Sequence, residues 1–191
     1  MTRISSVLSL CLLLFTSSAV MAASNASDKE KARAEIRKTS NQTLAKLYKV
    51  QPNARKTVES AAGYATFSNF GMKILVAGSG TGKGIAIKKG DSPKEVFMKM
   101  AEVQAGLGFG IKKFNLIIIF QNAAAFDRFV NSGWESSTQA TAAASDGKTG
   151  AAYAGAVPMG AGIWVYQLTD KGVAAELTVK GTKYYKDDDL N

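Results

Sequence analysis

The spacing of hydrophobic positions changes near residue 63. Before it the pattern is helical. Ala32, Ile36, Thr43, Leu47 and Val50 recur near one face, while Lys29, Lys31, Arg33, Arg37, Lys38, Lys46 and Lys49 take the others. Ser27 and Glu30 stand at capping-box spacing, which predicts a helix from Asp28 to about Val50. Pro52 interrupts it, and a short helix over 53–62 is expected to close on Gly63 in a left-handed cap. From Tyr64 the period approaches two, and β-branched and aromatic residues become common. Strands are expected at 64–67, 72–79, 83–89, 95–110 (bent at its glycines) and 114–121, with a helix at 123–131. Further strands are expected at 135–144, 151–157, 161–168 and 173–181.

Glycine follows the same period. Gly78, Gly80, Gly82 and Gly84 alternate across the first expected hairpin, and Gly106, Gly108 and Gly110 alternate later. Alternation puts each set on one face of a strand, where missing side chains permit close backbone approach or a bend. Thr138, Ala140, Ala142 and Ala144 repeat the pattern with small side chains. The expected fold is therefore α+β: an N-terminal basic amphipathic helix, then a strongly curved, mostly antiparallel sheet with one or two short helices. The curvature leaves open whether that sheet closes toward a barrel.

The first 22 residues read differently. Arg3 precedes a short apolar run, Val7–Thr16, and the small residues of Ser17–Ala22 follow. That is the shape of a secretory signal cut after Ala22 or Ala23, and the run is short for a membrane span of about 20 residues. An uncleaved anchor is the alternative. Cys11 lies inside the apolar run after Leu10, which departs from a lipid-attachment pattern. Residues 23–191 then form a single domain, long enough to bury roughly 70% of its unfolded surface.

Composition narrows the chemistry. The chain has 191 residues, no histidine, and Cys11 as its one cysteine. Imidazole bases, Ser–His or Cys–His pairs and His/Cys zinc sites are thereby excluded. Several motif-like strings also fail. Around Gly82-Lys83, a P-loop would need glycine at Ala77 and Ser or Thr at Gly84. Ser145–Lys148 and Lys148-Thr149-Gly150 share one lysine, whereas penicillin-recognising enzymes place the two motifs on separate elements. Gly108–Phe114 partly matches an RNA-recognition string but begins after Leu107 instead of a basic residue. Asp187-Asp188-Asp189 lacks the spaced ligands of a calcium loop and reads as a solvated tail. No enzyme, cofactor, metal or nucleic-acid partner is expected.

Charge carries the positive signal. Of the formal net charge of +9, residues 28–56 hold +6, residues 59–113 hold +4, and residues from Phe114 onward hold −2, with Arg3 supplying the remainder. A basic N-terminal half with an amphipathic helix suits an anionic membrane leaflet. Arg33, Arg37, Lys38, Lys46 and Lys49 are the candidate contacts, with Lys88, Lys89, Lys112 and Lys113 as a second patch. At about 1 kcal/mol per engaged basic residue, charge alone gives weak, salt-sensitive binding.

A longer pattern is also present. Ala61-Ala62-Gly63-Tyr64-Ala65-Thr66-Phe67 resembles the A-x-G-Y/V-A-x-F segment that opens the SYLF domain. The glycine-rich hairpin, the Gly106/Gly108/Gly110 strand and Ile117–Asn122 before Phe126 and Phe129 follow in that family's order. Val165-Tyr166, Lys171-Gly172-Val173, Gly181 and Tyr184-Tyr185 complete the resemblance, which runs from about Arg33 to Asn191 and is strongest to secreted bacterial members. The resemblance implies non-enzymatic binding to anionic phospholipids, phosphoinositides in particular, and in some eukaryotic members an association with actin. The expectation is an exported protein, periplasmic or secreted, held peripherally on an envelope membrane. A structural or protein-interaction module of the envelope, with an envelope protein as partner, is the alternative; actin binding ranks below it.

Overall fold

A computed structural model describes residues 5–74, 77–105, 110–136, 154–160, 162–170, 172–173 and 182–191. Among these residues three helices, α1 (Ser5–Val50), α2 (Asn53–Ser60) and α3 (Ala123–Ser132), accompany nine strands. The strands are β1 (Gly63–Ile74), β2 (Ala77–Lys88), β3 (Lys94–Ala105), β4 (Gly110–Phe120), β5 (Trp134–Ser136), β6 (Val157–Pro158), β7 (Ile163–Thr169), β8 (Gly172–Val173) and β9 (Thr182–Lys186). They form one antiparallel sheet in the order β5-β9-β3-β2-β1-β4-β7-β6, with β8 on β7. The α+β expectation holds. Among the described residues the sheet is open, ending at β5 and β6, and does not close into a barrel.

Closure is unnecessary because helices cover both faces. On one face α3 buries Phe126 and Phe129 against Phe67, Phe120 and Tyr184. On the other, α1 and α2 bury Leu44, Leu47 and Val58 against Ile117, Ile119 and Tyr166. Leu116–Phe120 is accordingly apolar at every position and wholly buried, as a strand covered on both sides must be. Each large side chain so buried contributes about 1.5–3 kcal/mol.

Several boundaries differ from the sequence reading. The first helix does not begin at Asp28 but runs unbroken from Ser5. A cap contributes only about 1 kcal/mol, and the Leu- and Ala-rich stretch before it favours continuation. The expected strand 72–79 spans the junction of two strands, because β1 and β2 are paired down to Ile74 opposite Ala77. No Gly, Asn or Asp stands between these residues to mark the reversal. Residues 154–156 are not strand, leaving β6 with two residues, and β9 was not anticipated. The small-residue repeat 138–144, Gly106, Gly108 and the 145–150 motifs lie outside the described residues.

The glycines act mainly through packing. Gly63 is not a helix cap; it opens β1, and a Cβ there would lie 2.7 Å from the Phe126 ring. Gly78, Gly80, Gly82 and Gly84 all belong to β2, not to both arms of a hairpin. A Cβ on Gly84 would collide with the Thr66 carbonyl and Phe67, and one on Gly82 with the Ser68 carbonyl and Met100. The bare backbone is filled by neighbouring side chains, which is the close approach such alternation allows.

Candidate functional site

The basic residues of α1 divide into anchors and a free stripe. The Arg33 Nε donates to the Leu190 carbonyl at 2.8 Å, and its guanidinium pairs with Glu30 at 3.2 Å. Arg37 bonds Glu95 on β3 at 2.9 Å and Glu30 at 3.1 Å, with its charge 5.2 Å from the Phe97 ring centre. The Glu95 hydrogen bond raises the Arg37 pKa, and the Arg33 and Arg37 hydrogen bonds lower that of Glu30. Lys46 donates to the Thr169 carbonyl at 2.8 Å. Of the five candidates, Arg37 and Lys46 tie the helix to the sheet and Arg33 ties it to the C-terminal segment.

Lys38 and Lys49 are exposed, and no hydrogen bond or ion pair engages either among the described residues. Eleven residues apart, they lie about 20° from one another around an ideal helix and roughly 16 Å along it. Exposed Lys31, seven residues before Lys38, continues the line beside Asp28 at 3.5 Å. Val50 was expected in the core but is 42% exposed at the end of this stripe. Ser40 and Leu44, four and eight residues after Ile36, are buried along with Thr43 and Leu47.

The second basic group is not one patch. Strand alternation sends Lys88 toward α3, where its amine lies 2.8 Å from both oxygens of Asp127. Lys89 reaches the Val58 and Glu59 carbonyls at the end of α2 and sits 5.7 Å from the Tyr64 ring centre. Burial lowers its pKa, while the carbonyl end of the helix favours its charge. Lys113 is exposed on β4 and Lys112 pairs by backbone with Gly71; the Lys112 side chain is outside the described set.

A feature with no motif of its own lies under α1. A cleft of about 510 Å³ opens between the helix and the β1–β2–β3 face. Thr39, Ser40 and Thr43 come from the helix, and Thr66, Ser68 and Thr81 from the sheet. Thr66 donates to the Ser40 hydroxyl at 2.7 Å. Ile36 adds apolar surface, and Tyr185, 40% exposed, joins the lining. Glu35, Lys83 and Lys99 supply charge. The Lys99 amine is held by Asp187 at 2.8 Å and Asp189 at 3.1 Å, which raises its pKa and lowers that of Asp189.

Asp188 and Asp189 are solvent-exposed as expected, but the segment is pinned: Asp187 is buried, and Asn191 bonds both ways with Phe97 on β3. Among the described residues no cluster of three or more potential metal ligands occurs, and no helix is long and apolar enough to cross a membrane.

The sequence from within β3 to the C-terminus matches a known family. Residues 101–191 match Ysc84, described as a Las17-binding protein actin regulator. The matched segment is a SYLF-type domain sequence covering residues 101–191. It is also 30% identical, over 161 residues, to Beta cell expansion factor A of Aeromonas veronii, in a match that covers 84% of this chain and 59% of the relative. SYLF proteins are binding and regulatory modules for lipids or proteins. The SYLF match begins within β3, yet β3 is paired with β2 and the sheet continues to β1, so the matched segment shares one fold with residues before it.

Proposed function

We propose that this SYLF protein is a non-enzymatic module that associates with anionic phospholipids at an envelope membrane surface. The observation that carries the reading is the line of Lys31, Lys38 and Lys49 left exposed on α1, with Val50 exposed beside Lys49. Three such residues contribute about 3 kcal/mol together, giving weak and salt-dependent association to which a small apolar contact adds. Export through residues 1–22 belongs to the same proposal, and the mature mass of protein recovered from its own cells tests it. Flotation with phosphatidylglycerol or cardiolipin vesicles, against phosphatidylcholine controls, tests the surface. Binding should be selective for the anionic vesicles and fall with added salt, and Lys38→Glu with Lys49→Glu should reduce it about tenfold or more. Equal binding to both vesicle types would refute the charge mechanism.

A protein-interaction module is the second reading, favoured by the description of the matched family as Las17-binding and actin-regulating. A protein that copurifies stoichiometrically, with no lipid retained, would favour it over the first.

A further inference from the structure

Antiparallel pairing sets Lys83 of β2 opposite Lys99 of β3, on the face that α1 covers. Like charges in directly opposed positions repel, and sheets avoid the arrangement unless something compensates. Half of the compensation is visible. Lys99 is neutralised by Asp187 and Asp189 of the returning C-terminus. Lys83 is exposed into the cleft and has no counter-ion among the described residues; Glu35, on the helical wall, makes no ion pair with it.

The surroundings of Lys83 select the missing partner. Hydroxyls of Thr39, Ser68 and Thr81 line the same space, and a hydroxyl can both donate to an anion and accept from a ligand hydroxyl. An acyl chain would leave these groups unpaired, whereas a phosphate ester of a small polyol would satisfy them. The volume of about 510 Å³ admits such a group. The cleft residue Thr39 lies about 100° around α1 from Lys38, so the cleft flanks the exposed lysine stripe.

We propose that the cleft under α1 is a binding site for a phosphorylated polyol, with Lys83 as the phosphate partner and the Thr39, Ser68 and Thr81 hydroxyls around the polyol. The inference rests on the anionic-lipid reading and assigns it a single-headgroup site apart from the surface stripe. The same chemistry could be offered by a lipid headgroup or by a free phosphate ester.

The experiment titrates the purified chain with glycerol 3-phosphate and, separately, with short-chain phosphatidylglycerol below its micelle concentration. Its variants are Lys83→Gln, Thr81→Val and the Lys38→Glu/Lys49→Glu pair. Both probes should bind, Lys83→Gln should weaken them roughly tenfold or more, and the stripe variant should leave them unchanged. Tighter binding of the lipid identifies a lipid headgroup; equal binding identifies a free phosphate ester. Failure of both probes to bind, or equal binding by Lys83→Gln and the parent, overturns the site. Vesicle flotation by the parent separates the two ideas. If flotation persists while the soluble probes fail, the cleft is refuted and the surface reading stands. If the probes bind while the parent ignores anionic vesicles, the surface reading falls.

Discussion

The two faces of the sheet are built from different materials. Toward α3, Phe67, Phe120, Phe126, Phe129 and Tyr184 form an edge-packed aromatic cluster, with Phe67 and Tyr184 centres 4.9 Å apart and Phe120 and Phe129 centres 5.0 Å apart. Toward α1 the packing is interrupted by hydroxyls, ion pairs and a 510 Å³ cleft. Stability gains from dense apolar packing, while recognition needs polar groups that remain accessible. The molecule puts the dense apolar packing on one side of the sheet and the accessible polar groups on the other. Small satellite cores keep the polar side attached: Leu47 with Ile117 and Ile119 near the end of α1, and Ile36 with Phe97 and Leu190 near the cleft.

This division can be broken at three levels. The largest effect belongs to the aromatic side. Phe129→Ala should cost about 3–5 kcal/mol in urea unfolding, because the ring is fully buried and its neighbours cannot collapse into the space. A loss below about 1 kcal/mol would mean that the α3 face is not the main core.

Next comes the C-terminal strap. Lys99→Met removes the partner of Asp187, whose side chain is only 3% exposed, and should cost about 1–3 kcal/mol. Hydrogen exchange should rise at Asp187–Asn191 before it rises in β4. Uniform protection across both would show that the strap and the core are not separable.

The smallest effect is acidic. The pKa values of Glu30 and Asp189 are lowered by their arginine and lysine partners from the ordinary 4.5 and 3.8. A lowered carboxyl pKa adds stability that is present above the unfolded value and lost as pH falls through the folded one. Lowering the pH below 3.8 should thus loosen α1 and the strap while the near-ultraviolet signal of the aromatic core persists. Added salt should mimic the loosening only weakly, since these are exposed pairs that already contribute little. Simultaneous loss of both signals would argue that the two faces unfold as one unit.

Much of this was legible before folding was considered. The strand expected at 114–121 and the helix expected at 123–131 fall on β4 and α3, and the Asn122 side chain accepts from the Ala125 amide at 2.8 Å where α3 begins. The cationic α1 was equally plain. Which cations were committed elsewhere was not: Arg37 meets Glu95 across 58 positions, and Arg33 meets Leu190 across 157. A helical wheel carries no information about such partners.

By itself the sequence determined the alternation of elements, the absence of imidazole chemistry and the excess of positive charge, because each depends on residue type and near-neighbour spacing alone. Only the tertiary structure decided that Arg33, Arg37 and Lys46 are fasteners while Lys38 and Lys49 stay free, and that Lys83 faces Lys99 inside a hydroxyl-lined cleft. Those outcomes depend on strand register and on where a distant chain end returns. Such contacts are selected by the packing of the whole sheet, so no local pattern encodes them.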